Sequence, residues 1–322
     1  MKPVGEGVAI ILPAYNEEKT IAATIREFHI ALPGAFVVVV NNNSKDSTEV
    51  LANSCMEQLG CGGCVINERR QGKANALRRA FLEVDADAYL VADADMTYPA
   101  ERALDLLSPI LSGNADMVVG DRISGGEYAL ENKRRFHGFG NGLVQVLVNF
   151  LFSANLSDIL SGYRAFSRDF VKSYPILVEG FEVETDVTLY ALHHRFRIAE
   201  IPIEYKDRPA GSESKLDTVR DGARVIFAIM QIMRFYRPLR FFGVMAAIWA
   251  ICGFAVAAPV ISEFVQTQYI THVPLAILAT GLEVVAGVFL AIGLILDSVA
   301  RQASANFELG FLRSKRGRIN CS

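Results

Sequence analysis

Cysteine is scarce in this chain, with five residues in a sequence of 322. That number cannot build a disulfide scaffold and fits a reducing compartment. An excess of basic charge is also absent, because 32 Lys and Arg residues stand against 35 Asp and Glu residues, giving a net charge of −3. Without a basic field, the sequence excludes nucleic acid as a partner. The one Cys-x-x-Cys, at Cys61 and Cys64, has no second pair to complete a zinc site and is interpreted as a Gly-rich turn.

Charge is nearly missing from two runs near the C-terminus. Residues 241–261 contain no charged side chain, and residues 273–296 contain only Glu283. Each run is long enough to cross a bilayer as a helix, which takes about 20 residues. Arginines precede the first run and basic residues follow the second, whereas the connection 262–272 has neither Lys nor Arg. The positive-inside rule therefore predicts a hairpin in the inner membrane, with the preceding domain and both termini cytoplasmic.

Residues 217–240 combine an apolar side with arginines, a pattern typical of an amphipathic helix at a membrane interface. Glu283, near the middle of the second run, is interpreted as a carboxyl that hydrogen-bonds another helix rather than one that handles lipid phosphate. An assembly of several chains would bury it more easily, so a homo-oligomer stays open. The predicted division of the chain is a cytoplasmic domain over 1–216, this interface helix, the spanning pair over 241–296 and a basic tail over 297–322.

Short apolar runs alternate with amphipathic stretches in the first 120 residues. This alternation predicts an α/β fold with a mostly parallel sheet flanked by helices. The predicted strands are Val8–Leu12, Phe36–Val40, Val65–Asn67, Tyr89–Ala92 and Met117–Gly120, and the predicted helices are Lys19–Leu32, Thr48–Leu59, Lys73–Val84 and Ala100–Leu111.

Polar residues follow three of these strands, at 13–17, 41–44 and 93–95. In α/β sheets ligands bind beyond the carboxyl ends of the strands, so the three clusters predict one crevice. Asp93 and Asp95, one residue apart after a strand, can hold a divalent ion between themselves and a diphosphate. Hard oxygen ligands of this kind suit Mg²⁺ or Mn²⁺.

Six motifs follow one another along the chain: LPAYNEE (Leu12–Glu18), VVNNNSKDST (Val39–Thr48), QGKANALR (Gln71–Arg78), DADMTYP (Asp93–Pro99), GDR (Gly120–Arg122) and SGYRAFSR (Ser161–Arg168). In this order they resemble the family-two glycosyltransferases with the GT-A fold. Within that family the chain is similar to the polyprenyl-phosphate sugar synthases, which include dolichol-phosphate-mannose synthase and related bacterial enzymes. The resemblance covers about residues 8–220, and a two-span tail also occurs in part of the family.

The resemblance implies site residues at the matching positions. For the nucleotide sugar these are Pro13, Tyr15, Glu17, Asn41, Asn43, Lys73 and Asp93; for the metal, Asp95 and Asp93; for the acceptor phosphate, Arg122, Arg134 and Arg135 beside Lys133, Arg164, Arg208 and Lys215; and for the chemistry, Asp93, Asp95, Arg122 and Asp158. The chain departs from the family at the usual Val-Asp-Asp-Gly-Ser run, which here is Val40-Asn41-Asn42-Asn43-Ser44, so the Asp that normally accepts a hydrogen bond from the base is missing. UDP and GDP both stay open.

The implied activity is transfer of one sugar from a UDP- or GDP-sugar to polyprenyl phosphate, by metal-assisted displacement with inversion. A phosphate monoester is already ionised near neutral pH, so it needs no general base, and the enzyme's work is electrostatic.

Two alternatives stay open: a hydroxyl acceptor such as diacylglycerol, with Glu182 or Glu184 as base, and a membrane protein that binds nucleotide sugar without catalysis. The Gln-x-x-Arg-Trp signature of processive synthases is absent. The sugar, among mannose, glucose, an N-acetylhexosamine and galacturonic acid, also stays open.

Overall fold

The structure, a computed structural model, describes residues 5–124, 135–176, 183–205, 230 and 233–316. The chain divides into two compact units, Met1–Leu216 and Asp217–Ser322. The first is an α/β unit, and the described part of the second is built of long helices.

The first unit is organised around one sheet. Its described strands are β1 (Val8–Ala14), β2 (Phe36–Asn41), β3 (Gly63–Asn67), β4 (Ala88–Val91), β5 (Met117–Asp121), β6 (Arg164–Ser167) and β7 (Ile198–Pro202). They lie in the order β3-β2-β1-β4-β6-β5-β7. The pairings of β6 with β4 and β5 are antiparallel and the other four are parallel. The mostly parallel sheet predicted from the alternating pattern is confirmed.

Helices cover the sheet. They are α1 (Ile21–Ala31), α2 (Thr48–Leu59), α3 (Lys73–Glu83), α4 (Ala103–Leu111, after a 3-10 turn over Ala100–Arg102), α5 (Arg135–Phe152), α6 (Arg168–Ser173) and α7 (Val183–His193). Successive side chains of a strand point to opposite faces, yet Ile10, Ile11 and Leu12 of β1 are all fully buried. Burial on both faces explains why the central strands are continuous apolar runs rather than alternating ones.

The second unit contains α8 (Pro238–Thr267) and α9 (Val273–Arg316). They pack together, with the rings of Phe242 and Phe289 stacked 6.3 Å apart. Both are long and apolar enough to cross a membrane, by length and composition. Only 17% and 11% of their most apolar stretches are buried, whereas a core helix of a soluble protein would be mostly buried. These two helices contain the predicted spans.

Two details of this unit differ from the sequence-based picture. Helix α9 does not end near 296 but continues to Arg316. Glu283 packs against Gly253 of α8, where an added Cβ would lie 2.5 Å from its Oε1, and among the described residues that oxygen has no hydrogen-bond partner. The bond from Oε1 to a neighbouring helix, expected from the sequence, is therefore not seen. Most of the predicted interface helix, 217–229 with 231 and 232, lies outside the described residues.

Candidate active site

One edge of the sheet gathers the polar side chains singled out by the sequence. The carboxyl ends of the parallel strands lie at this edge, and so does the amino end of the antiparallel β6. Strand β1 lies between β2 and β4, so the chain winds outward from it in both directions, which is where such sheets bind ligands. The residues at this edge are Tyr15, Glu17, Asn41, Asn42, Asn43, Asp93, Asp95, Arg122 and Arg164.

A lysine lies between two carboxylates at the centre of this edge. The Lys73 ammonium, from the first turn of α3, lies 2.5 Å from Asp93 Oδ1 and 2.8 Å from Glu184 Oε1. Its side chain is 12% exposed. Burial acts to lower the pKa of Lys73, but the Asp93 and Glu184 carboxylates together raise it above its usual value. The lysine is therefore a cation whose position is fixed by two carboxylates. Lys73, Asp93 and Glu184 together carry a net negative charge.

Gly162 has no side chain, which leaves space for the Lys73 ammonium. A Cβ added at Gly162 would lie 2.6 Å from Lys73 Nζ, 3.2 Å from Asp93 Oδ2 and 3.3 Å from the Tyr98 hydroxyl. The Gly162 N–H also donates to that hydroxyl at 2.9 Å. The close approach of the backbone explains the Gly in the Ser-Gly-Tyr-Arg motif.

We therefore expect Gly162→Ala to displace the Lys73 ammonium and to lower kcat/KM for the donor at least about tenfold, which corresponds to about 1.4 kcal/mol. Gly142→Ala, in helix α5 with nothing within 4 Å of the added Cβ, is the matched control. Steady-state kinetics of both variants checks this, and an unchanged donor kcat/KM in Gly162→Ala contradicts it.

Asp95 lies deeper in the same turn than Asp93. It is 5% exposed, and its Oδ1 accepts hydrogen bonds from the Thr97 backbone N–H at 3.2 Å and the Thr97 hydroxyl at 2.6 Å. Within the described part of the chain no group of three or more His, Cys, Asp or Glu residues gathers as a metal cage. Two carboxylates nonetheless fit a nucleotide-bound Mg²⁺ or Mn²⁺, because such an ion completes its shell with phosphate oxygens and water.

Arg122 and Asp158 form a two-point ion pair at the end of β5. The Arg122 Nε and Nη2 atoms lie 2.7 and 2.9 Å from the two oxygens of Asp158, which is 2% exposed. The guanidinium also lies 5.4 Å from the centre of the Tyr205 ring. Glu200 of β7 fixes the Asp158 loop by accepting its backbone N–H at 2.9 Å. The plane of the guanidinium is therefore set before any ligand arrives.

Comparison with known proteins decides the family. The model described as "Glycosyl transferase family 2" matches residues 9–174, which include all but the first residue of β1, all of β2 to β6 and most of the site. The chain belongs to this family. It is therefore a glycosyltransferase, as the six motifs predicted.

Relatives of this family-two glycosyltransferase include full-length matches. "Glycosyltransferase AglJ" of Haloferax volcanii is 29% identical over 298 residues, which are 92% of this chain and 93% of that protein. The "Dolichyl-phosphate hexose transferase" of the same organism is 29% identical over 227 residues, 70% of this chain and 94% of that protein. The first match leaves out only 8% of the chain, so it extends into the second unit.

A solved structure shows the fold of the glycosyltransferase. Glucosyl-3-phosphoglycerate synthase from Mycobacterium tuberculosis, crystallised with Mn²⁺, UDP and glucosyl-3-phosphoglycerate, superposes with a TM-score of 0.55 over 71% of this chain and 79% of that one, at 22% identity. The GT-A fold is thereby confirmed for the first unit.

In this glycosyltransferase the β1–α1 loop is joined to the β2–α2 loop. The backbone N–H of Asn16 donates to the Ser44 hydroxyl at 3.0 Å, and that of Glu17 donates to the Thr48 hydroxyl at 2.8 Å. Asn43 has φ +61°, in the left-handed region, where the family has Gly and where Asn is better tolerated than most residues. Tyr15 is 44% exposed, while Pro13 pairs with Val40 inside the sheet.

Arg164 occupies a different environment from the one the resemblance implied. It is 2% exposed, and its guanidinium donates to the carbonyls of Ser161 and Ile159 at 2.7 and 2.5 Å and to the Thr188 hydroxyl at 2.8 Å. These bonds hold the loop before β6, and the assignment of Arg164 to the acceptor phosphate stays a prediction.

Of the remaining residues predicted for the acceptor phosphate, only Arg135 falls within the described residues. Arg135 begins α5. Lys133, Arg134, Glu182, Arg208 and Lys215 lie outside the described residues.

Sequence reasoning missed the aromatic side chains that lie between the Lys73 cluster and the Arg122–Asp158 ion pair. The ring of Tyr98 stacks on Tyr163 at 5.1 Å and meets the ring of Tyr205 edge-on at 5.6 Å. Tyr205 also hydrogen-bonds the Thr97 side chain. Burial, then the Asp93 charge, raises the pKa of Tyr98, so its hydroxyl stays protonated. The signal for Tyr98 was its place inside the Asp93–Pro99 motif, whereas nothing in the sequence marked Tyr205.

Proposed function

We propose that the chain transfers one sugar from a UDP- or GDP-sugar to polyprenyl phosphate at the cytoplasmic face of the inner membrane, with inversion and with Mg²⁺ or Mn²⁺ bound. The observation behind this is one sheet edge that carries two aspartates, a lysine ion-paired with carboxylates and an arginine ion-paired with Asp158. The chain is also a family-two glycosyltransferase with two apolar helices long enough to span a membrane. The dolichyl-phosphate hexose transferase among its relatives supports the acceptor class.

On the donor side, the nucleotide lies over the β1 and β2 loops, with Pro13, Tyr15, Glu17, Asn41 and Asn43 as its contacts. Asp93 and Asp95 hold the divalent cation, which when bound offsets the charge of the leaving nucleoside diphosphate. Lys73 binds the diphosphate, a role that suits a lysine kept charged by two carboxylates.

On the acceptor side, Arg122 binds the phosphate of the polyprenyl chain, with basic residues of 133–135, Arg208 and Lys215 as further contacts. Asp158 orients Arg122 through its two-point pair. The phosphate oxygen attacks the anomeric carbon directly, the bond to the nucleoside diphosphate breaks, and no proton has to be removed from the acceptor first.

The position of Glu184 favours this acceptor over a hydroxyl. A hydroxyl acceptor needs a carboxylate free to take a proton. Glu184 is 8% exposed and ion-paired with Lys73 at 2.8 Å, so one of its oxygens is already occupied.

The second unit anchors the enzyme where its lipid acceptor is found. We propose that α8 and α9 span the membrane, with the 268–272 connection outside and both termini in the cytoplasm. Residues 217–240 lie at the membrane interface in this proposal.

The test is transfer by membranes that contain the full chain. They are incubated with labelled UDP- and GDP-sugars, Mn²⁺ or Mg²⁺ and polyprenyl phosphate, and the labelled lipid is treated with mild acid. We expect an acid-labile product, since a sugar 1-phosphodiester hydrolyses far faster than an ordinary glycoside. An acid-stable product would indicate a hydroxyl acceptor, and no consumption of any donor would indicate binding without catalysis.

Arg122→Lys separates the acceptor site from the donor site. Lysine keeps the charge but cannot make the two-point pair, so we expect the KM for polyprenyl phosphate to rise about tenfold with little change in the donor KM. The matched control is Arg168→Lys, which alters a similar two-point pair with Asp85 at the other edge of the sheet. Equal changes in both KM values would contradict the role of Arg122 in acceptor binding.

A further inference from the structure

Tyr205 follows strand β7 and lies beside the arginine proposed for the acceptor. Strand β7 runs parallel to β5, with Pro202 opposite Asp121, and the Ile203 backbone N–H donates to the Asp121 carbonyl at 2.9 Å. Arg122 is the next residue after β5. Its guanidinium lies over the Tyr205 ring, 5.4 Å from the centre, and a ring face attracts a cation at this distance. The pairing of the two strands therefore brings an aromatic ring to Arg122.

The hydroxyl end of the same side chain belongs to the metal side of the site. The Tyr205 hydroxyl hydrogen-bonds the Thr97 side chain, and the Thr97 hydroxyl lies 2.6 Å from Asp95 Oδ1. An ionised carboxylate only accepts hydrogen bonds, so the single proton of the Thr97 hydroxyl goes to Asp95. The Tyr205 hydroxyl keeps its proton near neutral pH and must then be the donor to Thr97. The order of donation therefore runs from Tyr205 through Thr97 to Asp95.

We propose that Tyr205 is a positioning residue that sets the acceptor arginine relative to the metal-binding turn. Its ring attracts the Arg122 guanidinium, which Asp158 also binds through two hydrogen bonds. Its hydroxyl fixes Thr97 and, through Thr97, the carboxylate of Asp95. This inference rests on the proposed function, in which Asp95 binds the cation and Arg122 binds the acceptor phosphate.

The reaction requires the two sides of the site to be held at one separation. The acceptor oxygen must approach the anomeric carbon from the side opposite the leaving diphosphate, and a misplacement of about 1 Å can cost about 100-fold in rate. A tyrosine suits this task because its ring is rigid and its side chain has only two torsions. The edge-on contact with the Tyr98 ring, at 5.6 Å, restrains Tyr205 further.

The test compares Tyr205→Phe with Tyr205→Leu in the detergent-solubilised full chain. Two constants are measured: the dissociation constant of Mn²⁺ in the presence of UDP or GDP, by electron paramagnetic resonance, and the KM for polyprenyl phosphate. Phenylalanine keeps the ring but cannot donate to Thr97. We therefore expect the Mn²⁺ constant to rise at least about threefold, because outer partners of a metal ligand tune its affinity, while the acceptor KM stays within about twofold.

Leucine removes the ring as well as the hydroxyl. In Tyr205→Leu the Mn²⁺ constant rises as in Tyr205→Phe, and the acceptor KM also rises about fivefold, which corresponds to about 1 kcal/mol. A loss of general packing would not separate the two constants in this way. The phenylalanine variant keeps the proposal testable even where the leucine variant fails to fold.

Thr97→Val checks the route of the effect on the metal. Valine has nearly the shape of threonine and no hydroxyl, so it interrupts the chain of hydrogen bonds at its middle. Adding Tyr205→Phe to Thr97→Val should then change the Mn²⁺ constant by less than about twofold, because both substitutions remove the same hydrogen bond.

Tyr89→Phe is the matched control. The Tyr89 hydroxyl donates to the Val84 carbonyl at 3.0 Å, and the Lys172 ammonium lies 5.9 Å from the centre of the Tyr89 ring, at the start of β4 rather than at the site. Tyr89→Phe should keep both wild-type constants.

Three results would overturn the proposal: a wild-type Mn²⁺ constant in Tyr205→Phe, an acceptor KM that rises as much in Tyr205→Phe as in Tyr205→Leu, and full additivity with Thr97→Val. If the wild type neither binds Mn²⁺ with a nucleotide nor transfers sugar, the proposed function fails and this inference fails with it. The behaviour of the wild type therefore distinguishes the two failures.

Discussion

Asp95→Asn is expected to lower kcat at least about 1000-fold while the protein stays folded. The asparagine oxygen can still accept both hydrogen bonds from Thr97, so the turn keeps its shape. The other oxygen becomes an amide nitrogen, which cannot bind a cation. A cation that offsets the charge of a leaving diphosphate contributes several kcal/mol, and about 4 kcal/mol corresponds to this factor.

Three measurements check this prediction. Transfer is assayed at saturating Mn²⁺ and Mg²⁺, Mn²⁺ binding in the presence of nucleoside diphosphate is followed by electron paramagnetic resonance, and thermal unfolding reports the fold. Asp105→Asn, an exposed carboxylate paired with Arg102 on α4, is the control and keeps all three properties. Asp95→Asn with more than a tenth of the wild-type rate, or with undiminished Mn²⁺ binding, would refute the role of Asp95 as a metal ligand.

The sequence predicted the sheet well where burial is two-sided and poorly where a strand contains charge. Strands β1, β2, β4 and β5 are apolar runs between polar turns, so their positions follow from the pattern alone. Strand β6 is four residues long and begins with the buried Arg164. A guanidinium in a core is stable only when nearby carbonyls and hydroxyls accept its hydrogen bonds. Local patterning cannot show those partners, which come from residues 159, 161 and 188.

Motif matching located the candidate residues but could not show which ones touch. Lys73 was expected near the donor phosphates, and Glu184 was considered as a base for a hydroxyl acceptor. Their ion pair joins two helices that are 111 residues apart in the sequence, counted from position 73 to 184. Such a contact depends on how α7 packs against the sheet, and no residue spacing in a single sequence contains that information. Arg122 and Asp158 were likewise placed in one site, and their mutual pairing came from the structure.

Lys73→Met is expected to destabilise the first unit. It removes the ammonium that contacts both Asp93 and Glu184, so two carboxylates at partly buried positions lose the cation that lies between them. Breaking a buried ion pair by removing one partner costs about 3–5 kcal/mol. We expect a loss near the lower figure, because Asp93 is 29% exposed and water screens part of the repulsion. Urea unfolding of the solubilised full chain, followed by circular dichroism, measures it.

A second substitution separates the stability of this cluster from its activity. Adding Glu184→Gln to Lys73→Met removes one of the two negative charges, so much of the lost stability should return, and the double-mutant cycle gives the coupling energy. Transfer should not return, because the diphosphate still lacks the ammonium. Arg79→Met on the same helix, whose surface pair with Glu83 spans one turn, should cost only about 0.5 kcal/mol. If the double variant unfolds as easily as Lys73→Met, charge repulsion is not the cause, and if it regains transfer, Lys73 does not bind the donor.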